Sequence, residues 1–481
     1  MPLAALLLGC AHAGGVPRAG QQPASLAVDY TFRIDAALST IETRACFKGA
    51  PPAELVSGVT GGEELLRRAW IETSAGPREL ARVDQRIVLS GAPNDACVDY
   101  AIDVGGGAKR SFGIDLERRG EALVTNVALF LWRPLRWDHL RQLSARVVLP
   151  EGMRASLPWP RQGDRYVLDQ SALAFYAFAV FGRFEVEQIE GDGATIEVAV
   201  LDGLPPRTRA YVVPWLELAA RAAALPFGHF PRAQAQVVVI PSRPSGEPVR
   251  FGTMNRGGGA SAALVLPVNA ELEPLLHDWV AVHEFSHLLH PFVDHDDAWF
   301  SEGIATYYQE VLRVRAGMEP AQAAWRRLYD GAQLGQSAEH SLAEESAGMF
   351  AKFSFKRVYW AGAAFALMAD VELRRHSHGK LSLDDVLREL AARGTQAAPL
   401  RAREVVARMD EIAGAPIVSR LMTRWVDGKK LPDLAELYAE LGLLPEGDGV
   451  QMTASAKDAW IRTAIMQGPA ENAAPMVSQR R

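Results

Sequence analysis

From Leu26 to about residue 200 the chain alternates between apolar and polar positions. In "VDYTFRID", Val28, Tyr30, Phe32 and Ile34 fall on one face and Asp29, Thr31, Arg33 and Asp35 on the other, the two-residue period of a strand with one buried face. Short apolar runs recur in "QRIVLSG", "LVTNVALFLW", "ARVVLP" and "ATIEVAVLDG", separated by Gly, Pro and Asp. Together they predict an N-terminal antiparallel β-sandwich over residues 27–203. After Pro205-Pro206 the period changes. A helix through "WLELAARAAALPFG", strands at "AQVVVIP" and "ASAALVLP" and then longer helices predict a mixed unit over residues 204–316 that holds the chemistry. Beyond it, residues 317–460 read as a C-terminal α-helical domain, in which Ser382 can cap a helix and Asp385 can reach back in a capping box. Residues 461–481, which end in "GPAENAAPMVSQRR", carry little apolar material and predict a flexible tail. The fold class is multidomain α+β.

Composition narrows the function. At 481 residues the chain exceeds one ordinary core, and 48% apolar with 22% charged residues fits a globular protein. A net charge of −6 without a basic patch argues against a nucleic-acid partner. Past the N-terminus no run of 18 apolar residues suggests a spanning helix. Residues 1–26 resemble an export signal and linker: "MPLAALLLGCAHAGG" has a short apolar stretch, followed by a Gly/Pro/Gln-rich tether. Leu7-Leu8-Gly9-Cys10 fits a lipobox that would place a lipid anchor on Cys10, whereas Ala11-His12-Ala13 fits ordinary signal cleavage. Either reading places the protein in a bacterial periplasm or on a membrane as a lipoprotein, whereas the missing positively charged n-region fits a start further upstream or a mature cytosolic terminus. Cys46 and Cys97 are then either bridged or two buried thiols.

The chemistry concentrates in "VAVHEFSHLLHPFVDHDDAWFSEGIATYY", which holds four of the eleven histidines. His283-Glu284-Phe285-Ser286-His287 lies on a predicted helix whose apolar stripe runs through Leu275, Leu276, Trp279, Val282, Ser286 and Leu289 until Pro291. One turn apart, His283 and His287 can grip a single Zn²⁺, and Glu284 projects beside the metal as a base. Asp296 or Asp297 can cap a second helix starting at "AWFSEG", which places Glu302 as the third ligand. Two histidines and a glutamate leave one position open, a hydrolytic rather than a structural arrangement. His290 is an alternative ligand, but Pro291 pushes it toward an extended conformation. His277 and His295 read as rim residues, and one of Asp294, Asp296 and Asp297 can orient a ligand histidine.

At this point the sequence resembles the gluzincin metallopeptidases, in particular the glycyl aminopeptidase family, relatives of the aminopeptidase N group. "HEFSH" followed by "WFSEGIATYY" is similar to the family's zinc helix and W-x-x-E-G block. "VYWAGAAFALMADVELRRHSHGKLSLDDVLREL" is similar to its Y-x-x-G segment and downstream S-L-D-D, and "RWVDGKKLPDLAELYAELGL" to its helical ending. The likeness covers roughly residues 205–445. It implies a thermolysin-like catalytic domain over 204–316 and a role for Tyr359, whose phenol would hydrogen-bond the oxyanion formed when water adds to the scissile carbonyl. Three features depart from the family. The gap from His287 to Glu302 is shorter, the acidic G-x-M-E-N substrate strand is replaced by Gly252-Thr253-Met254-Asn255 and "RGGGA", and there is no room for a C-terminal PDZ-type domain.

These readings converge on a peptidase with one Zn²⁺ per chain and a peptide or protein substrate, an aminopeptidase by resemblance. Glu284 and Tyr359 are its catalytic residues, and His283, His287 and Glu302 its metal ligands. Gly252, Thr253, Met254 and Asn255 form a substrate-binding strand that adds the substrate backbone to the sheet edge. The Gly257-Gly258-Gly259 run either permits close approach there or is a flexible hairpin tip. Because Asn255 lacks the charge that holds an α-amine, an endopeptidase is the alternative, and a non-catalytic zinc- or peptide-binding envelope protein is a third reading. Oligomeric state is not legible.

Overall fold

The computed structural model describes residues 26–107, 113–137, 140–336, 339–394, 398–429, 434–447 and 449–468, and every statement below concerns these residues. Residues 1–25, with Cys10 and the export reading, lie outside them. The alternation at the start of the chain is the buried face of a sheet: Val28, Tyr30, Phe32 and Ile34 are at most 5% exposed. Strand Leu26–Ile34 sits inside an eight-stranded sheet, antiparallel to Thr40–Lys48 but parallel to Leu140–Val148. That parallel pair departs from the all-antiparallel sandwich expected, because the two strands are far apart in sequence and joined by a long crossover. Two four-stranded sheets close the same core with Leu55, Ile87, Leu123 and Phe181. Cys46 and Cys97 face each other on adjacent strands and are joined by a disulfide, which resolves the open reading of the two cysteines.

A second, five-stranded sheet runs in the order Glu185–Gly191, Ala194–Val200, Gln234–Ser242, Ala260–Pro267, Phe251–Asn255. It therefore begins ahead of the division expected at residue 203, and "ATIEVAV" belongs to it rather than to the sandwich. The reason is burial on both faces. Val198, Val200, Val237 and Val239 pack under helices, while Ala199, Leu201, Val238 and Ile240 pack on Phe178 and Val180 of the first domain. A strand buried on both sides loses its alternation and with it the cue to which sheet it joins. A polar tie crosses the same interface: Ser261 Oγ donates to Gln236 Oε1 (2.7 Å), Gln236 Nε2 to Ser156 Oγ (2.9 Å) and the Phe178 amide to Ser261 Oγ (3.0 Å).

One hydrophobic cluster then runs from Ile189 to Met466, across the division expected at residue 316. Beneath it, Tyr307 donates to Asp370 (2.8 Å) and Tyr308 to Asp384 (2.6 Å), while Arg315 and Arg374 neutralise the two buried carboxylates at 2.8 and 2.9 Å. The capping box of Ser382 and Asp385 forms as expected at helix Leu383–Ala392. The tail expected from residue 461 does not begin there. Helix Ala459–Gln467 buries Ile461 and Ile465, an i, i+4 pair on one face, and only residues 469–481 fall outside the described chain.

Two helices, Ala298–Arg315 and Phe355–Ser377, cross at glycines. A methyl group on Gly303 would lie 2.4 Å from the Gly362 backbone, and one on Gly362 would lie 2.1 Å from the Trp299 carbonyl oxygen. Because backbone rather than a movable side chain fills the space, Gly362→Ala is expected to lower stability by about 1–3 kcal/mol. Urea denaturation would read this as a lower midpoint; an unchanged midpoint would mean that the crossing is not tight.

Candidate metal centre

The H-E-x-x-H segment forms a short helix, Val280–Ser286, continued by a tighter turn over His287–Leu289. At its start Asp278 accepts from the Val280 amide (2.7 Å), and burial pushes the Asp278 carboxyl up to about 7. At its end His290 is extended (φ −122°, ψ 159°), as Pro291 requires. His283 and His287 therefore stand one turn apart, their rings 4.9 Å apart and nearly perpendicular. The second helix starts at Ala298, with Asp297 in the cap position but without a side-chain cap bond. Instead Asp297 accepts from the Ala402 amide (2.9 Å) and pairs with Arg401 (3.0 Å), while Asp294 caps the turn before it through the Asp296 amide (3.0 Å). These acids are committed to Arg401 and to backbone.

Glu302, one turn into that helix, meets both histidines. Its Oε2 lies 3.3 Å from His283 Nε2 and 3.6 Å from His287 Nε2. Ligand atoms about 2.0–2.1 Å from a shared tetrahedral zinc are separated by about 3.4 Å, and both of these distances match that spacing. All three ligand atoms lie within 4.8 Å of one another. The residues fit one Zn²⁺. Burial alone would push the His283 imidazole down, but its hydrogen bond to Glu302 and the charges of Glu284 and Glu302 outweigh it and raise the pKa. Burial dominates at His287 and holds it well below the usual value, hence neutral. Glu302 is opposed by burial, yet His287, His283 and a hydrogen bond from Tyr359 bring its pKa below the usual carboxylate range. A metal needs neutral imidazoles and an ionised carboxylate; His287 and Glu302 are held in those forms, and a cation would displace the proton that Glu302 favours on His283.

Hydrogen bonds outside the donor set fix which ring nitrogen faces the centre. His283 Nδ1 donates to Gln309 Oε1 (2.7 Å), leaving Nε2 for the metal. The Gln309 amide is itself oriented, since its Nε2 donates to Glu310 Oε1 (3.0 Å), and Arg313 and Arg327 hold Glu310 at 2.9 and 2.7 Å. At His287 the relay runs through two residues. His290 Nδ1 lies 2.7 Å from the Pro291 carbonyl, which can only accept, so that nitrogen carries the proton. Burial holds His290 neutral, its pKa lowered to about 3, and its Nε2 is therefore an acceptor. Ser301 must donate to it (3.3 Å) and accept from His287 Nδ1 (3.1 Å), which turns the bare Nε2 of His287 toward Glu302. His290 thus orients a ligand rather than replacing one. Gln309 lies seven residues after Glu302 on the same helical face, a spacing that sequence reading could have used; the Ser301 relay depends on tertiary contact and left no such signal.

Glu284 is buried beside the donors, and burial pushes its carboxyl up to about 7; His283 and a hydrogen bond from the Met254 amide oppose the rise. The edge strand Phe251–Asn255 lies directly on it. A methyl group on Gly252 would sit 2.8 Å from Glu284 Oε1 and 2.6 Å from Val280 Cγ1, so only glycine fits there. Thr253 and Asn255 alternate with Gly252 and Met254 along that strand. Tyr359 stacks on His283 with ring centroids 5.9 Å apart, and its hydroxyl is turned to Glu302. The glycine run is not a free tip. Trp159 Nε1 donates to the Gly257 carbonyl (2.8 Å), the Gly257 amide to Tyr176 (2.8 Å) and the Gly258 amide to Ser171 Oγ (3.0 Å), so the run is clamped against the first domain. His277 and His295 are exposed, His277 beside Glu273 and His295 beside Asp296 and stacked on Phe350.

Metal analysis of the purified protein is expected to give one zinc per chain, lost in Glu302→Ala. Removing the relay hydroxyl in Ser301→Ala is expected to weaken zinc binding about 10–100-fold in a chelator competition. Equal affinity of the two proteins would show that Ser301 does not orient His287.

No family model and no curated protein matches the sequence. Solved structures do match the fold. It is similar to an aminopeptidase N family protein from Idiomarina loihiensis, with a TM-score of 0.68 and 16% identity over 87% of this chain and 78% of that one. It is also similar to an M1 zinc metallopeptidase from Deinococcus radiodurans, with a TM-score of 0.51 and 16% identity over 85% and 95% of the two chains. The chain thus shares its fold with these proteins, and it builds a His283, His287 and Glu302 donor set for one zinc into that fold.

Proposed function

We propose that the protein is a zinc-dependent peptidase. The observation that carries this reading is the spacing of His283, His287 and Glu302 around one point, with Glu284 buried next to them and held by the edge strand. Bound there, zinc would supply Lewis acidity and make a water easier to deprotonate. Glu284 is the base: it takes a proton as the water oxygen bonds to the scissile carbonyl carbon, and delivers that proton to the amine nitrogen as the C–N bond breaks. Tyr359, whose hydroxyl burial keeps protonated, donates to the carbonyl oxygen as negative charge builds there. In the ground state that hydroxyl rests on Glu302, so its part requires only a change of acceptor.

The edge strand bears on the choice between amino- and endopeptidase. An α-amine at the end of a substrate calls for an acid, and the strand supplies Asn255 followed by Arg256. This favours a peptidase without a requirement for a free N-terminus. Export belongs to the same proposal, supported by the Cys46–Cys97 disulfide, which persists in oxidising compartments, and by the signal-like start with Cys10.

A short peptide set, each member with a free and an acetylated N-terminus, tests the reading with the zinc-loaded protein against Glu284→Gln as the blank. Cleavage of both forms is the expected result. Trimming of the free peptides alone would make the enzyme an aminopeptidase, and no cleavage above the blank would remove the peptidase reading.

A further inference from the structure

Arg256 directly follows the edge strand. Its Nη1 donates to the His290 carbonyl (2.9 Å), and its guanidinium lies 5.4 Å over the Phe292 ring. Those contacts occupy one of five donors and one face. No carboxylate among the described residues pairs with it, and the charged group acting on it is a second arginine, Arg232, which repels it. Arg232 likewise lacks an ion pair: its Nη1 donates to the Pro231 carbonyl (3.2 Å), and Asp169 attracts it only from a distance. A half-buried guanidinium without a carboxylate partner, in the field of a like charge, is costly unless an anion reaches it.

Their position relates them to the metal centre. Arg256 lies one residue past the strand, and the two-residue period continued to it puts it on the face of Gly252, whose Cβ position touches Glu284. It stands two positions past Met254, about 6.6 Å along an extended strand. On the other side it holds the backbone of His290, whose ring is 5.8 Å from that of His287. Gly257, the next residue, is fixed to the first domain by two hydrogen bonds, so the cation cannot swing away with its backbone.

We propose that Arg256, backed by Arg232, binds a carboxylate of the peptide substrate about one residue from the scissile bond, and so sets the specificity of the site. The proposal rests on the peptidase reading. A guanidinium pairs with a carboxylate through two parallel hydrogen bonds, and a peptide lying along the edge strand carries such a group either as an acidic side chain or as its own C-terminus.

The test uses the zinc-loaded Glu284→Gln protein, which holds the site without turnover, and calorimetric titration with acetyl-Ala-Glu-Ala amide, acetyl-Ala-Gln-Ala amide and acetyl-Ala-Gln-Ala with a free carboxylate. One of the two anionic peptides is expected to bind about tenfold or more tightly than the neutral one, and which of them does so identifies the source of the carboxylate. Adding Arg256→Gln is expected to bring that ratio to about one, whereas Arg256→Lys keeps part of it; unfolding midpoint and zinc content establish that both variants are intact. Equal binding of the three peptides, no binding of either anionic peptide, or a preference that survives Arg256→Gln would overturn the proposal. Hydrolysis by the parent protein separates the two readings. Cleavage without a carboxylate preference keeps the peptidase and removes the subsite, and a preference in binding without cleavage does the reverse.

Discussion

Backbone contact between two helices at Gly303 and Gly362 is the constraint on which the centre depends. Glu302 precedes the first glycine and Tyr359 lies one turn before the second, so the crossing that brings the backbones together also brings the carboxylate and the phenol to the same place. Any side chain at the crossing would push the helices apart. His283 then closes the arrangement from a third helix, stacked on Tyr359 and bonded to Glu302. Three segments are thereby held to one geometry by packing, and packing of this density leaves little room to drift.

That arrangement gathers buried groups whose charges oppose burial. Glu284 and Glu302 repel each other, and desolvation penalises both. The protein offsets this with donors of fixed direction: the Met254 amide on Glu284, Tyr359 on Glu302, and imidazoles whose proton positions are set from behind. Behind Gln309 the chain of contacts ends on Glu310 and two arginines, so the tautomer of His283 is tied to an ion-pair network buried in the helical core. A divalent cation at the three donors would relieve the repulsion further.

Sequence reading reached the parts of this that are local. The helical spacing of His283 and His287, the turn that places Glu302, the strand faces of Val28 to Ile34 and the box at Ser382 all follow from periods and caps within a few residues. Tyr359 was legible only through a family likeness, since nothing in its own neighbourhood distinguishes it from a half-buried helix residue. What was not legible is tertiary. Ala194–Val200 is buried on both faces, which hides the sheet it joins; Ile461 and Ile465 read as tail because their partner surface lies on a distant helix. Ser301, Gln309 and His290 act through contacts that the fold creates.

The first domain, finally, is part of the site and not a neighbour to it. Its Trp159, Ser171 and Tyr176 hold the end of the edge strand at Gly257 and Gly258, and its Phe175 packs edge-on to Phe292, the ring beneath Arg256, at 4.3 Å. A methyl group at any of Gly257, Gly258 or Gly259 would strike that domain at 2.0 to 2.6 Å, so the glycines are there to let two domains touch. The edge strand is consequently fixed twice, by the first domain beyond its end and by Glu284 at Gly252. A strand pinned at both ends keeps its register, and register determines which residue stands opposite the metal centre and which stands one position away. An edge strand anchored only by its own sheet would leave that choice to fluctuation. The register of the strand beside the metal centre therefore depends on the interface between the β-domain and the metal-bearing unit, well away from the donors themselves.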